Sequence, residues 1–308
     1  MTRAIVFAYH DVGLRCLATL IAHRVEIQLV VTYQDDPAEN VWFGSVAALA
    51  GLHGISVVSP ASPAEPDFVN RVQALQPDFV FSFFYRHMLK PELLAAAGRG
   101  AFNMHGSLLP KYRGRVPINW AIIHGERTTG ATLHEMIEKP DAGRIVDQQA
   151  VPILPNDTAR DVMCKVATAA EIVLDRTLPL LIAGTAVLRR QDLAAGSYFG
   201  GRRPEDGLID WSADASRVHN LVRAVAPPYP GAFCRVAGRT LRILKTFNAG
   251  ERSPVTGTPA LIAQGPTLYL RCADGGLLKV LDAELDGASF GADTMRRHFE
   301  MDTVALRN

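Results

Sequence analysis

Cysteine is scarce in this chain of 308 residues, which contains four of them: Cys16, Cys164, Cys234 and Cys272. They lie far apart and form no C-x-x-C pair, which argues against a disulfide scaffold and against a cysteine-ligated zinc ion. The same usage is typical of a reducing compartment. We therefore expect a cytoplasmic protein that needs no metal.

The chain also lacks a strong net charge of either sign. The 32 Lys and Arg residues nearly balance the 31 Asp and Glu residues, so the formal net charge is +1. Such a chain has no general attraction to nucleic acid, and any site for a polyanion must be a local patch. No apolar run approaches the ~20 residues that span a membrane, and residues 3–9 read as a first strand rather than a signal peptide. We expect a soluble globular protein whose partners are neither nucleic acid nor membrane.

Four motifs of common enzyme chemistry are missing. Residues 9–13, YHDVG, follow the first predicted strand and contain no G-x-G-x-x-G, so a dinucleotide is not expected there. The chain also lacks a Walker A loop and a G-x-S-x-G nucleophile elbow. Residues 134–138, HEMIE, lack the second histidine of a zinc protease motif. We interpret them as a strand end with exposed polar residues.

Short apolar runs alternate with amphipathic segments through the first half of the chain. Runs typical of buried parallel strands occupy 3–9, 27–33, 55–58, 78–85 and 101–105. Helical spacing is found at 12–23, 41–53, 65–75, 91–97 and 117–125. Two further strands fit 130–137 and 145–153, and a long helix fits 157–183. This order predicts an α/β fold with a doubly wound, Rossmann-like parallel sheet.

The composition changes near residue 190. A helix is predicted near 214–224, and the β-rich runs that follow it are 232–237, 240–247, 259–263, 267–272 and 277–283. Their Gly, Pro and Asp separators are typical of a small antiparallel domain, here an OB-like barrel. The predicted domains are 1–190 and 207–308, joined by a glycine-rich linker over 191–206.

An asparagine and a histidine stand two residues apart in the predicted strand 101–105. Asn103 and His105 should therefore project from the same face of the sheet, near the carboxyl ends of the strands where open α/β sheets carry their sites. An amide beside an imidazole suits acyl transfer, because the amide can hold an oxyanion while the ring moves a proton. The alternative is a structural histidine whose hydrogen bonds are satisfied by the backbone.

Asp141 is the third candidate, in the turn that follows predicted strand 130–137. If neighbouring strands bring their carboxyl ends together, its carboxylate can approach His105 and stabilise the imidazolium. The alternative is that Asp141 has no functional role, because the residues around it are also those of a common type of turn.

Cations and one aromatic residue near the predicted strand ends are candidates for substrate binding. Lys111, Arg113 and Arg115 follow the Asn103–His105 strand, and arginine can bind phosphate or carboxylate through two hydrogen bonds. Tyr85 ends another strand, and Arg203 lies in the predicted linker where it can meet a diphosphate. Solvated surface cations and a buried core tyrosine are the alternatives.

Taken together, several segments resemble the 10-formyltetrahydrofolate-dependent formyltransferases over essentially the whole chain. They are 102–117, 141–143, 210–211, 222–224 and 230–233. Segments 7–11, 81–87, 111–115 and 200–204 look most similar to the UDP-4-amino-4-deoxy-L-arabinose formyltransferase domain of lipid A modification. In several bacteria that domain is fused to a decarboxylase. No decarboxylase follows here, so we expect that activity to be absent or to reside on another chain.

The resemblance implies formyl transfer from 10-formyltetrahydrofolate to the 4-amino group of a UDP-linked amino sugar, without a metal. It implies that Asn103 holds the oxyanion, that His105 moves the proton and that Asp141 keeps His105 charged. The folate contacts that it implies are His87, Met88, Leu89, Arg115, Ile137, Glu138, Lys139, Pro140 and Asp141. The candidate contacts to the sugar nucleotide are Tyr85, Lys111, Arg113 and Arg203. A homo-oligomer is compatible with this interpretation.

Other functions stay open at this point. Methionyl-tRNA formyltransferase uses the same donor, but gripping tRNA should demand an excess of basic residues. Residues 205–308 contain twelve Lys and Arg and twelve Asp and Glu, which disfavours that function. A non-catalytic module that binds folate or a sugar nucleotide would not need the three polar residues. A hydrolase that releases the formyl group is a further alternative.

Overall fold

The computed structural model describes residues 1–34 and 40–307. Two compact units are present, and neither is continuous in sequence. The first unit consists of Met1–Pro117, Thr128–Pro152 and Met163–Gly200. The second contains Ile118–Arg127, Ile153–Val162 and the chain from Gly201 onward. The domain bounds drawn from the sequence treated each domain as one continuous segment.

Apart from two short strands that were not predicted, Arg113–Gly114 and Tyr198–Phe199, the strands and helices up to residue 200 follow the order predicted from the sequence. The strands are β1 (Arg3–Ala8), β2 (Glu26–Val31), β3 (Val57–Val58), β4 (Phe79–Phe83), β5 (Gly100–His105), β6 (Arg113–Gly114), β7 (Thr128–Glu135), β8 (Ile145–Pro152) and β9 (Tyr198–Phe199). The helices are α1 (His10–Ala22), α2 (Val46–Leu52), α3 (Pro66–Ala74), α4 (Pro91–Leu94), α5 (Pro117–Ile123) and α6 (Ala159–Ala183).

The main sheet of the first unit has the strand order β3-β2-β1-β4-β5-β7-β8. The strands from β1 to β5 pair in parallel, which confirms the Rossmann-like fold. The prediction of a parallel sheet is wrong for β7 and β8, because β7 runs antiparallel to β5 and β8 antiparallel to β7. The short connection between β7 and β8 contains no helix, and a parallel pair would need a crossover of a dozen residues or so.

Continuous apolar sequence explains why the centre of this sheet forms. Every side chain of β4, and all but the first of β1, is buried, as expected for strands covered on both faces. Ile5, Phe7 and Val80 belong to one apolar cluster with Phe68 of α3. This packed centre carries β5, whose last residues form the candidate site.

The second unit contains a six-stranded antiparallel path with the order β10-β11-β14-β13-β12-β16, and β15 pairs with β14. Its strands are β10 (Ala232–Val236), β11 (Arg239–Phe247), β12 (Ala260–Gln264), β13 (Thr267–Arg271), β14 (Leu277–Leu285), β15 (Ala288–Ser289) and β16 (Thr303–Ala305). Its later helices are α7 (Ala215–Ala224) and α8 (Ala292–Phe299). Within residues 1–34 and 40–307, no pairing closes the path between β10 and β16, so the predicted barrel is an open half-barrel.

Candidate active site

The candidate site lies at the end of β5, where Asn103 and His105 project from one face of the sheet. Asn103 sits between Ser82 of β4 and His134 of β7, its partners in the strand register. Asn103 is half-buried, whereas His105 is 6% exposed. The alternation of side chains along a strand thus places an amide and an imidazole together, as the sequence predicted.

The two ring nitrogens of His105 have different partners. Nε2 lies 2.8 Å from the carbonyl oxygen of Tyr112, and a carbonyl can only accept, so Nε2 carries a hydrogen. Nδ1 faces Oδ1 of Asp141 at 3.6 Å, the distance of an ion pair rather than of a short hydrogen bond. Nδ1 is therefore the ring atom that can gain or lose a proton beside a carboxylate.

The loop after β5 holds the carbonyl group of Tyr112 in place. Ser107 Oγ donates to the carbonyl oxygen of Lys111 at 2.6 Å, and Thr132 Oγ1 donates to that of Ser107 at 2.6 Å. The backbone N–H of Tyr112 donates to Ser197 Oγ at 2.9 Å, and Tyr112 has a left-handed φ of 56°. These bonds fix the position of the acceptor for His105.

Asp141 reaches the site from the connection between β7 and β8. Its Oδ2 accepts a hydrogen bond from the backbone N–H of Gly114 at 2.8 Å. Burial raises the pKa of the Asp141 carboxyl, but His105 and the Gly114 N–H outweigh that effect and hold the pKa well below its usual range. Asp141 is therefore a carboxylate at neutral pH.

The backbone around Asp141 is fixed from two sides. Asp141 has a left-handed φ of 51°, and Gln191 Nε2 donates to the carbonyl oxygens of Asp141 at 3.0 Å and Gly143 at 2.6 Å. Arg144 forms two hydrogen bonds with the Glu135 carboxylate, at 2.9 and 2.8 Å, across the base of the loop. Gln191 belongs to the predicted linker, and the sequence offered no signal for this role.

One sequence-based interpretation is wrong: the position of His134 in the structure differs from the expected one. Its segment was expected to be a strand end with exposed polar residues, but His134 is 2% exposed. Its Nε2 lies 3.1 Å from Nδ2 of Asn103 and 3.5 Å from Oδ1 of Asp141. The antiparallel direction of β7 places His134 directly opposite Asn103, and a histidine among the buried positions of a strand was the signal that could have revealed it.

The predicted folate contacts include two exposed apolar side chains. Met88 is 59% exposed and Ile137 is 42% exposed, so both can lie against a flat heterocycle. Tyr33 Oη accepts hydrogen bonds from the backbone N–H groups of Arg86 at 2.9 Å and His87 at 3.1 Å, which fixes the start of this segment. The other exposed or half-buried positions in this set are His87, Arg115, Glu138, Lys139 and Pro140. Leu89 is buried in the core.

The four predicted contacts to the sugar nucleotide divide into two pairs. Tyr85 is 9% exposed and stacks on Tyr33, with 4.7 Å between the ring centroids. Arg113 is also 9% exposed, and its Nη2 lies 3.4 Å from the carbonyl oxygen of Leu193. Lys111 and Arg203 are exposed, and Arg203 belongs to the second unit. Tyr85 and Arg113 are thus buried, whereas Lys111 and Arg203 are open to solvent.

Comparison with protein families agrees with the fold of both units. The formyl transferase model matches residues 15–178, more than half of the chain. The chain belongs to the formyl transferase family. A second model, the formyl transferase C-terminal domain, matches residues 202–293. The protein is therefore an enzyme that transfers a formyl group, as the resemblance in the sequence implied.

Solved structures of formyltransferases have the same fold. The N-formyltransferase from Helicobacter canadensis, in complex with folinic acid and dTDP-3-aminofucose, is 19% identical, with a TM-score of 0.70 over 94% of this chain and 100% of that one. WlaRD, a sugar 3N-formyl transferase solved with dTDP and 5-N-formyl-THF, is 20% identical, with a TM-score of 0.68 over 91% of this chain and 97% of that one. A 4-N formyltransferase from Francisella tularensis is 19% identical, with a TM-score of 0.61 over 75% of this chain and 91% of that one.

Within residues 1–34 and 40–307 of the formyl transferase, no group of three or more His, Cys, Asp or Glu side chains is arranged to hold a metal ion. No helix in the same part of the chain is long and apolar enough to cross a membrane.

Proposed function

We propose that this formyl transferase moves a formyl group from 10-formyltetrahydrofolate to the 4-amino group of a UDP-linked amino sugar, with UDP-4-amino-4-deoxy-L-arabinose as the acceptor. The observation that carries the proposal is the convergence of Asn103, His105 and Asp141 at the end of β5. The donor is supported by the relatives that were solved with folinic acid or 5-N-formyl-THF. The exposed side chains of Met88 and Ile137 suit the apolar faces of a pterin.

Asn103 supplies the hydrogen bond that the reaction needs as charge develops. The acceptor nitrogen attacks the formyl carbon, a new N–C bond forms, and the formyl oxygen becomes an oxyanion. An amide N–H aimed at that oxygen stabilises the transition state more than the ground state, because the negative charge is larger there. Asn103 is half-buried, so its amide can reach a bound donor.

His105 and Asp141 carry out the proton transfers that the proposed reaction requires. The neutral amine attacks, its nitrogen becomes positively charged when the new N–C bond forms, and it must then lose a proton. The departing folate nitrogen must gain a proton when the original C–N bond breaks. His105 can take up the first proton and supply the second through Nδ1, since Nε2 is committed to the Tyr112 carbonyl oxygen. The Asp141 carboxylate, 3.6 Å from Nδ1, stabilises the charged ring between the two transfers.

The balanced charge of residues 205–308 supports a small anionic acceptor. A diphosphate carries few charges and needs two or three cations, and in the first unit the exposed Lys111 is one candidate. The Helicobacter canadensis relative was solved with a dTDP-linked 3-amino sugar, and the Francisella tularensis relative is a 4-N formyltransferase. Both support an amino sugar as the acceptor class, while the uridine carrier rests on the resemblance of segments 111–115 and 200–204.

The test is a panel of acceptors incubated with the enzyme and 10-formyltetrahydrofolate. The panel contains UDP-4-amino-4-deoxy-L-arabinose, dTDP-linked 3-amino and 4-amino sugars, and methionyl-tRNA, and products are identified by mass. We expect formylated UDP-amino sugar to form fastest, with a modest salt dependence. If methionyl-tRNA were formylated and no amino sugar were, with an affinity for tRNA that falls steeply as salt increases, the proposed acceptor would be wrong. Release of formate without any formylated product would indicate the hydrolase alternative.

A further inference from the structure

His134 has two hydrogen-bonding ring atoms in the candidate site, and one of them has a fixed role. Nδ1 lies 2.9 Å from the carbonyl oxygen of Glu135. That carbonyl is held in place, because the Glu135 N–H donates to the Arg144 carbonyl oxygen at 2.9 Å and the two side chains are paired. Since the carbonyl can only accept, Nδ1 carries a hydrogen, and a neutral ring then has a lone pair on Nε2.

The lone pair of Nε2 faces the side-chain amide of Asn103. The distance from Nε2 to Nδ2 is 3.1 Å, which suits a hydrogen bond donated by the amide. The two ends of an asparagine amide have nearly the same shape, so packing alone does not decide which end points where. A fixed acceptor decides it: the NH₂ end of Asn103 turns toward His134.

This orientation matters for catalysis because the NH₂ group has two hydrogens. One hydrogen is used by His134, and the second is available to a formyl oxygen bound beside Asn103. In the flipped orientation, Asn103 would present its carbonyl oxygen to the developing oxyanion, and the two negative ends would repel one another. Correct orientation before the reaction is what makes such donors effective.

A charged His134 ring, with a hydrogen on both nitrogens, matches its neighbours Asn103 and Asp141 less well than the neutral ring does. Its Nε2–H would face the Asn103 NH₂ group at 3.1 Å, donor against donor, while the nearest acceptor, Asp141 Oδ1, is farther away at 3.5 Å. The Asp141 carboxylate already has the Gly114 N–H at 2.8 Å and His105 at 3.6 Å. The other titratable groups that face His134 are His105, whose ring centroid is 6.4 Å away, and Glu135 on the same strand.

We propose that His134 is a positioning residue, neutral and protonated on Nδ1, that orients the amide of Asn103 so that its free N–H points at the formyl oxygen. The proposal rests on the role proposed above for Asn103. It extends the site from three residues to four and assigns the added residue no contact with either substrate.

The first experiment reads the tautomer directly and needs no acceptor. The full-length enzyme is labelled with ¹⁵N in its histidine rings, and the His134 signals are assigned by their loss in His134→Gln. We expect a protonated Nδ1 and an unprotonated Nε2 at the pH of the assay. A proton on Nε2 would overturn the proposal, even if the acceptor panel had failed to reveal any amino-sugar product.

The second experiment measures kcat and KM for matched variants. His134→Gln keeps an acceptor oxygen near the position of Nε2, and His134→Leu has a similar size without one. We expect His134→Leu to lower kcat about 10²-fold, as loss of an oxyanion donor does, with KM little changed. His134→Gln should lie within about tenfold of the wild type, because its oxygen can replace Nε2 as acceptor.

A double-mutant cycle with Asn103→Ala separates positioning from a general structural role. If His134 acts through Asn103, adding His134→Leu to Asn103→Ala should cost little further turnover. Independent, multiplying losses would overturn the proposal, as would a His134→Gln variant as slow as His134→Leu. If His134→Leu does not fold in a thermal melt, the cycle is run with His134→Ala, which also lacks the acceptor, and the ¹⁵N spectrum decides the tautomer.

Discussion

His105 Nδ1 and Asp141 Oδ1 lie 3.6 Å apart although β5 and β7 run in opposite directions. Asp141 was expected to approach His105 because neighbouring strands bring their carboxyl ends together, but the antiparallel β5 and β7 do not do so. β7 ends with Glu135 beside Phe102, and its paired residues run away from His105 toward the start of β5. The connection after β7 must therefore return toward His105, and the left-handed Asp141 and the bonds from Gln191 hold it there.

Replacing His105 with alanine should lower kcat far more than it weakens folate binding. General acid–base catalysis contributes roughly 10²–10⁴-fold to rates, and His105 is the proposed carrier of the proton. Turnover is measured with saturating donor and acceptor, and folate affinity by calorimetry. A variant with near-normal kcat would show that another group moves the proton.

Asn103→Ala tests the oxyanion contact. We expect kcat to fall by about 10²–10³-fold, the usual loss for one oxyanion donor, while the KM for the acceptor changes little. Asn103→Asp is the matched variant of equal size, and it should be at least as slow because a carboxylate repels the oxyanion. An active Asn103→Asp enzyme would contradict the role.

Gln191→Glu tests the two hydrogen bonds by which Gln191 holds the Asp141 loop. The carboxylate has the size of the amide but cannot donate to the carbonyl oxygens of Asp141 and Gly143. We expect the loop to loosen, kcat to fall about tenfold and the unfolding free energy to drop by about 1–3 kcal/mol, since two acceptors lose their partner. Gln149→Glu is the control: this glutamine accepts from Arg176 away from the site, and turnover should be unchanged.

Gly143→Ala should be strongly destabilising for steric reasons. A Cβ atom at this position would overlap the backbone carbonyl of Glu135, so the main chain of the Asp141 loop must move. We expect a loss of more than about 2 kcal/mol in the free energy of unfolding, together with low activity. Gly51→Ala in α2 is the control, because its Cβ meets no atom within 4 Å and helices gain about 0.5–1 kcal/mol from this exchange. Equal melting temperatures of the two variants would contradict the assigned overlap.

His219 should make the second unit sensitive to mild acid. It is 3% exposed, Nε2 donates to the Pro155 carbonyl oxygen at 3.0 Å, and Nδ1 lies 2.7 Å from Thr246 Oγ1. Burial lowers the pKa of His219 to about 4, while the Pro155 carbonyl opposes the shift and Arg223 adds to it.

Because the folded pKa lies below that of the unfolded chain, about 6.5, the unfolded state binds the proton first. The contribution of His219 to the free energy of unfolding is complete above about pH 6.5. It is lost as the pH falls from about 6.5 toward 4, and the loss reaches roughly 3 kcal/mol. Urea unfolding between about pH 7 and pH 5 should show this slope in the wild type and a smaller one in His219→Gln. Parallel curves for the two proteins would refute the prediction.

Much of the fold follows from local pattern. The continuous apolar runs predicted β1 and β4 within two residues of their bounds, and the spacing of apolar residues predicted α6 over nearly its whole length. The short polar helix α8 was missed, since Ala292 and Met295 are its buried residues and three of its positions are basic. The three residues of β16 were missed because the strand exists through its pairing with β12.

The same division holds for the candidate site. The sequence by itself determined that Asn103 and His105 share a face, because side chains alternate along a strand whatever the strand pairs with. It could not determine that β7 runs antiparallel, that His134 lies opposite Asn103 or that Gln191 holds the Asp141 loop. Those contacts join residues far apart in the chain, so the tertiary structure decided them, through strand register and through the partners available to each buried polar atom.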